Sequence, residues 1–255
     1  MRELFKWISL IIILISYLVL SGIVCTFPVI RRKKRQIAMR LASFFAARFL
    51  RVLGVHVHVK HADRLTKNRE VVLIVSNHVS YLDVLVISSL IPSAFITSVE
   101  LKHTPVLGWM ARLSGSLFVE RRKPAGLKQE IDEIALVLGQ GLPVALFPEG
   151  TTSNGDRVHP FKNSLFDAAV ATRADILPLC LRYTRVNGKP LTQEERDSVY
   201  YYGGVSFFIH LPRLLALRSV DIEVSPLKWI VVQPHHNRKD LATMAQDAIS
   251  AAYHE

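Results

Sequence analysis

The chain has 255 residues, enough for one α/β domain with a short appendage, and a core of that size needs no covalent staples. Its two cysteines, Cys25 in an apolar run and Cys180 in a strand-like one, lack any C-x-x-C or paired spacing, which argues against a disulfide framework or a cysteine zinc site and fits a reducing compartment. The net charge of +11 is concentrated: eight basic and no acidic residues lie between Arg31 and Arg51, the first thirty residues add one charge, and only +2 remains beyond them, poor grounds for a nucleic-acid surface.

From Trp7 to Ile30 the run WISLIIILISYLVLSGIVCTFPVI has no charged residue in 24 positions, where a bilayer crossing needs about 20. It is longer than the apolar stretch of a secretory signal, and no A-x-A site follows. Arg31-Arg32-Lys33-Lys34-Arg35 comes next, and a basic cluster beside a first membrane helix marks its cytoplasmic flank. The expectation is a membrane protein, of a bacterial inner membrane or its equivalent, with everything past residue 31 on the cytoplasmic side against lipid head groups. The following stretch, QIAMRLASFFAARFLRVLG, lines up Ile37, Leu41, Phe44, Phe45 and Phe49 with Arg40, Arg48 and Arg51 off the stripe. It predicts an amphipathic helix, packed on the domain or lying among head groups, and its place after the basic cluster favours the head groups.

Past Gly54, strands are predicted near 55–60, 71–76, 94–98, 115–119, 143–147, 176–183 and 218–224. Helices are predicted near 80–90, 105–113, 124–139, 163–173 and 238–253. Runs such as VVLIVS and PVALF are apolar on both faces, the mark of strands covered from both sides. The fold class is therefore α/β, a mixed, mostly parallel sheet covered by helices. Residues 1–54 form the membrane segment, and 55–255 one domain. The stretch Asn187 to Gly204, rich in charge, tyrosine and glycine, reads as a surface excursion.

The segment VVLIVSNHVSYLD runs a buried strand into Asn77-His78 and then a helix start, and α/β folds place their sites just past the carboxyl ends of strands. His78 and Asp83 have four residues between them. With the histidine on the loop and the aspartate in the first helical turn, the carboxylate can reach one imidazole nitrogen and leave the other to take a proton. The competing reading is structural, because Ser80-x-x-Asp83 also matches a helix capping box. Arg121, Arg122 and Lys123 follow the strand GSLFV, and an arginine fork suits a phosphate, although three basic loop residues are commonly solvated charge. Phe147-Pro148-Glu149-Gly150-Thr151 ends the strand PVALF, where glycine permits a tight turn close to a ligand.

These blocks in this order, NHVSYLD, SLFVERR (116–122), FPEGT (147–151) and ILPLCLRY (176–183), resemble those of the glycerolipid acyltransferases, whose best-known bacterial members are the 1-acyl-glycerol-3-phosphate acyltransferases. The resemblance spans about residues 70–185, and the N-terminal helices fit it. It implies His78 as general base and Asp83 as its orienting partner. It also implies a substrate-binding set of Arg121, Arg122, Glu149, Gly150, Thr151 and Lys162, with Pro178 in a more structural fourth block. The implied reaction moves a fatty acyl group from acyl-CoA or acyl carrier protein to a lysolipid hydroxyl, with no cofactor and no metal. First among acceptors is 1-acylglycerol-3-phosphate, giving phosphatidic acid. Two departures open alternatives: Thr152 stands where many lysophosphatidate enzymes have arginine, and Ser164 where they have glycine. Lyso-ornithine lipid and other lysophospholipids are then alternative acceptors.

The absence of any G-x-S-x-G nucleophile elbow argues for direct transfer over an acyl-enzyme. A non-enzymatic lipid-binding module and a hydrolase are the rival classes; an intact His78–Asp83 pair argues against the first. His56, His58 and His61 form H-x-H-x-x-H, but no further ligand follows at zinc spacing.

Overall fold

The computed structural model describes residues 1–66, 71–120 and 126–254. Strands β1 (Val55–Val59), β2 (Val72–Ser76), β3 (Ala94–Ser98), β4 (Leu117–Val119), β5 (Val144–Leu146), β6 (Asp175–Val186) and β8 (Val220–Pro226) form one sheet in the order β1-β8-β6-β2-β5-β3-β4. The short β7 (Lys189–Pro190) hairpins onto β6. Every pairing is parallel except β8 and β7 against β6, so the sheet is mixed and mostly parallel, as expected. All five residues of β2 are buried at its centre, which is why that strand reads as an unbroken apolar run. β6 is longer than predicted because its last residues pair antiparallel with β8, past a bulge between Tyr183 and Arg185.

The helices are α1 (Arg2–Thr26), α2 (Arg31–Leu53), α3 (Leu82–Leu90), α4 (Leu107–Leu113), α5 (Leu127–Gly139), α6 (Asp167–Thr172), α7 (Phe207–Ala216) and α8 (Arg238–Tyr253). On one face of the sheet Ile134, Leu138, Leu241 and Ile249 of α5 and α8 pack over Leu73, Val75 and Ile176. On the other, Leu50, Val86, Ile87 and Leu214 of α2, α3 and α7 pack over Ile74, Leu177 and Leu179. Alternate residues of β2 thus feed opposite cores. Helix α7 is absent from the sequence-based expectation. It opens Phe-Phe-Ile and contains Pro212, both poor for a helix, and the burial of His210, Leu214 and Leu215 outweighs that propensity.

α1 and α2 form a hairpin. Lys6, Leu10, Tyr17 and Ser21 of α1 are buried against the domain while Leu4, Ile8, Ile11, Ile12, Ile15 and Val19 stay exposed. Polar side chains fix the inner face: Arg2 donates to the Ala216 carbonyl at 2.8 Å, Lys6 to those of Leu53 and Leu217 at 2.9 and 2.7 Å, and the Tyr17 hydroxyl to that of Met110 at 3.0 Å. The stripe expected on α2 divides between two surroundings. Phe45 turns inward with Met39, Ala46, Leu50 and Leu53, whereas Ile37 and Phe44 point outward. α2 therefore packs on the domain along one side and shows apolar groups on another. It ends at Gly54, whose φ of 79° makes a left-handed cap, and Leu50 and Leu53 share the core of the sheet that follows.

Candidate active site

β2 lies between β5 and β6, with Val75 beside Leu146 and Ser76 beside Leu179, so the loops leaving β2 and β5 meet at one edge. Asn77 continues the ladder with its side chain: its amide donates to the Leu181 carbonyl and its oxygen accepts the Leu181 N–H, both at 2.9 Å. That clamp fixes the turn at which His78 leaves the sheet.

His78 Nδ1 lies 2.9 Å from Asp83 Oδ2. The same oxygen accepts the backbone N–H groups of Val79 and Ser80 at 2.8 and 2.9 Å. Only half of the expected capping box forms: Asp83 accepts the Ser80 N–H, but the Ser80 hydroxyl turns to the Val199 carbonyl and does not cap α3, while the same carboxylate grips the imidazole. Its other oxygen, Oδ1, accepts the Tyr183 hydroxyl at 2.7 Å. Asp83 is fully buried, and four donors satisfy it. The His78 ring stacks on Phe147, centroids 4.0 Å apart, and its side chain keeps 17 % exposure. With Nδ1–H turned to Asp83, Nε2 carries the lone pair, and no described residue hydrogen-bonds it.

The third block supports this loop from behind. Glu149 Oε1 accepts the His78 N–H at 2.7 Å, and Oε2 accepts the His159 N–H at 2.9 Å. Burial pushes the Glu149 carboxyl up to about 7, against those two hydrogen bonds, with the Asp83 charge adding to the rise. Gly150 has φ 76°, and a Cβ there would lie 2.8 Å from Lys162 Nζ, so the exposed lysine arches over the glycine. The Lys162 N–H also donates to the Pro148 carbonyl at 2.9 Å, and Thr151 is exposed next to the turn. Thus His78, Asp83, Glu149, Gly150, Thr151 and Lys162 come together. Arg121 and Arg122 lie outside the described residues.

Several residues of this site escape the sequence reading. Tyr183 shares a face of β6 with Leu177, Leu179 and Leu181, and a tyrosine closing such a run signals a hydroxyl in need of a buried partner. Burial, reinforced by Asp83, holds its phenol well above the ordinary range, so it remains a donor. The stretch expected as a surface excursion folds back over the loop. Val199 and Tyr200 are buried, the Val199 carbonyl accepts the Ser80 hydroxyl at 2.9 Å, and the Tyr201 N–H donates to the Val79 carbonyl at 2.9 Å. The apolar bodies of its aromatic residues outweigh the charged composition of the rest.

His56 and His58 share one face of β1, where both contact Asp221 Oδ1, at 3.3 and 2.9 Å. Among the described residues no group of three or more histidine, cysteine, aspartate or glutamate side chains converges as a metal site.

A largely buried imidazole at a strand tip, held by a buried carboxylate and with no described residue bonded to its second nitrogen, has the geometry that a general base on an α/β scaffold needs. The chain belongs to the acyltransferase family, whose match covers residues 56–182. It is 32 % identical over 200 residues to the lyso-ornithine lipid O-acyltransferase of Rhizobium meliloti (strain 1021), covering 76 % of this chain and 68 % of that protein. The corresponding Brucella abortus (strain 2308) enzyme is 33 % identical over 219 residues, 83 % of this chain and 81 % of that one. The 1-acyl-sn-glycerol-3-phosphate acyltransferase of Neisseria gonorrhoeae is 34 % identical over 153 residues, 60 % of this chain and 58 % of that one. The crystal structure of the 1-acyl-sn-glycerophosphate acyltransferase of Thermotoga maritima has the same fold, with a TM-score of 0.70 at 20 % identity over 100 % of this chain and 97 % of that one. The protein is an acyltransferase.

Proposed function

We propose that the protein acylates a lysolipid hydroxyl at a membrane surface, and the observation that carries this reading is the 2.9 Å contact of His78 Nδ1 with a buried, fully satisfied Asp83. Nε2 takes the hydroxyl proton as the oxygen attacks the carbonyl carbon of an acyl thioester, from acyl-CoA or acyl carrier protein. The C–S bond then breaks, and the departing thiolate takes the proton back from the imidazolium. General-base help of this kind gives about 10² to 10⁴ in rate. Asp83 sets the tautomer. Glu149, with both oxygens on backbone N–H groups, acts through the peptide of His78. Gly150, Thr151 and Lys162 border the acceptor, and Arg121 and Arg122 are assigned to its head group.

The relatives name two acceptors, lyso-ornithine lipid and 1-acyl-sn-glycerol-3-phosphate. Thr152 in the arginine position and the longer alignments favour lyso-ornithine lipid. The Arg121-Arg122 pair favours a phosphate and keeps 1-acylglycerol-3-phosphate as the second reading.

Residues 1–54 serve as the attachment segment. α1 is apolar and long enough to cross a bilayer, but its inner face is fixed to the domain from Lys6 to Ser21, about 22 Å of helix axis. Tyr17, near the middle of α1, is bonded to Met110 of α4, so crossing would carry a helix of the domain into hydrocarbon; on this reading α1 lies in the plane of the cytoplasmic leaflet with its outer face in lipid.

The test incubates detergent-solubilised protein with acyl-CoA or acyl carrier protein and a panel of both lysolipids, following acylated lipid and free fatty acid. Acylated product supports the reading. Free fatty acid without acylated product means a hydrolase, and no turnover means a lipid-binding module. Arg121→Ala is expected to weaken phosphate-bearing acceptors more than phosphate-free ones.

A further inference from the structure

We propose that α7 is a second lipid-contacting element, seated in an anionic bilayer surface beside α1, and that it forms the side by which a membrane-borne acyl chain reaches His78. This rests on the acyl-transfer reading above.

Phe208 is 64 % exposed and Ile209 56 %, and Val205 just before the helix is 37 % exposed. On the opposite side His210 and Leu214 are buried, and Leu215 is buried one heptad after Phe208, at the edge of the exposed face. A helix that buries one apolar face and shows another to solvent has an unmet partner.

Two connections say what that partner is. At its carboxyl end α7 meets the start of α1, where Arg2 donates to the Ala216 carbonyl and Lys6 to the Leu217 carbonyl. The adjoining residues of α1, Leu4 at 64 % and Phe5 at 69 % exposure, begin the outer face of a helix whose most apolar 18-residue window has a mean hydropathy of 2.7, so the exposed face of α7 continues beside the one assigned to lipid. At its amino end Phe207 packs edge-on against Tyr81, centroids 5.2 Å apart, and His210 Nδ1 lies 3.1 Å from the Tyr81 hydroxyl. Tyr81 stands between His78 and Asp83 in the chain. α7 therefore runs from the lipid-facing helix to the catalytic loop. It carries no acidic residue, while Arg213 on it and Arg218 just after it are exposed, the charge that suits anionic head groups.

The test uses the full chain. An environment-sensitive fluorophore is placed at Ile209→Cys in a Cys25→Ser background and read on phosphatidylethanolamine vesicles containing phosphatidylglycerol, with and without brominated acyl chains. Blue-shifted emission quenched by the brominated lipid is expected. Emission unchanged by vesicles would overturn the proposal. So would a blue shift that appears without lipid and grows with protein concentration, because a second copy then covers the helix. In parallel, Phe208→Asp is expected to slow acyl transfer about tenfold when the lysolipid is presented in vesicles and to leave the rate in detergent micelles within about twofold. Equal loss in both would assign Phe208 to packing and contradict the proposal. If the unaltered protein transfers no acyl group in either medium, the enzymatic reading fails, while the fluorophore still decides the lipid contact.

Discussion

Tyr183 and Asp83, 100 residues apart, are joined by a 2.7 Å hydrogen bond from the phenol to Oδ1, the oxygen that His78 does not use. The carboxylate therefore has no freedom to swing away from the imidazole. Tyr183→Phe leaves a buried charged oxygen short of a donor, which costs about 1–3 kcal/mol. The expected outcome is a lower unfolding temperature, a kcat reduced about tenfold and an unchanged KM, since the loss falls on orientation of the base. Kinetics beside a thermal melt check this; wild-type kcat in the variant would show that Asp83 needs no such brace.

Glu149 gives a pH signature. Its folded-state carboxyl is raised to about 7 from 4.5, so the protonated form is the one that folding favours. The contribution is complete below about pH 4.5 and is lost as the pH climbs to about 7, a change of about 3 kcal/mol. Glu149→Gln removes the titration. Denaturant unfolding from acidic to neutral pH should show the wild type losing stability relative to the variant across that window. Parallel curves would mean that the carboxyl titrates normally.

Gly150 and Lys162 are expected to act as a pair. A Cβ at Gly150 meets the mobile end of Lys162, and the left-handed backbone adds about 1–2 kcal/mol of strain for any residue but glycine. Gly150→Ala should therefore destabilise the turn, displace Nζ and raise the KM for the acceptor, with little further effect in Lys162→Ala. A double-mutant cycle measures the coupling. Fully additive effects would separate the lysine from the turn.

In-plane attachment of α1 makes a labelling prediction. Single cysteines at Arg2→Cys and Arg32→Cys, in a Cys25→Ser background, should react from the same side of sealed vesicles with a membrane-impermeant reagent. Reaction from opposite sides would establish a spanning helix.

The legible part of this protein is the part whose partners are close in sequence. His78 and Asp83 are five residues apart, so one helical turn unites them. FPEGT ends a strand that an apolar run betrays. The central strands are visible because burial on both faces leaves them uniformly apolar. What stayed hidden depends on distant pairing. Nothing local says that Tyr183 reaches Asp83, or that Glu149 spends both oxygens on the N–H groups of His78 and His159. The stretch before Gly204 reads as solvated from its charge, yet Val199 and Tyr200 pack over the loop. The length of α1 announces a membrane helix, but Lys6 becomes intelligible only beside the Leu53 and Leu217 carbonyls. α7 defeats a propensity reading because its stability is tertiary.

The most direct measurement is the single-turnover rate of acyl transfer to a soluble short-chain lysolipid by His78→Ala and Asp83→Asn, each confirmed as folded. Both are expected to lose at least about a hundredfold with the acceptor still binding. A His78→Ala protein that transfers the acyl group at the wild-type rate would contradict the assignment of that imidazole as the base.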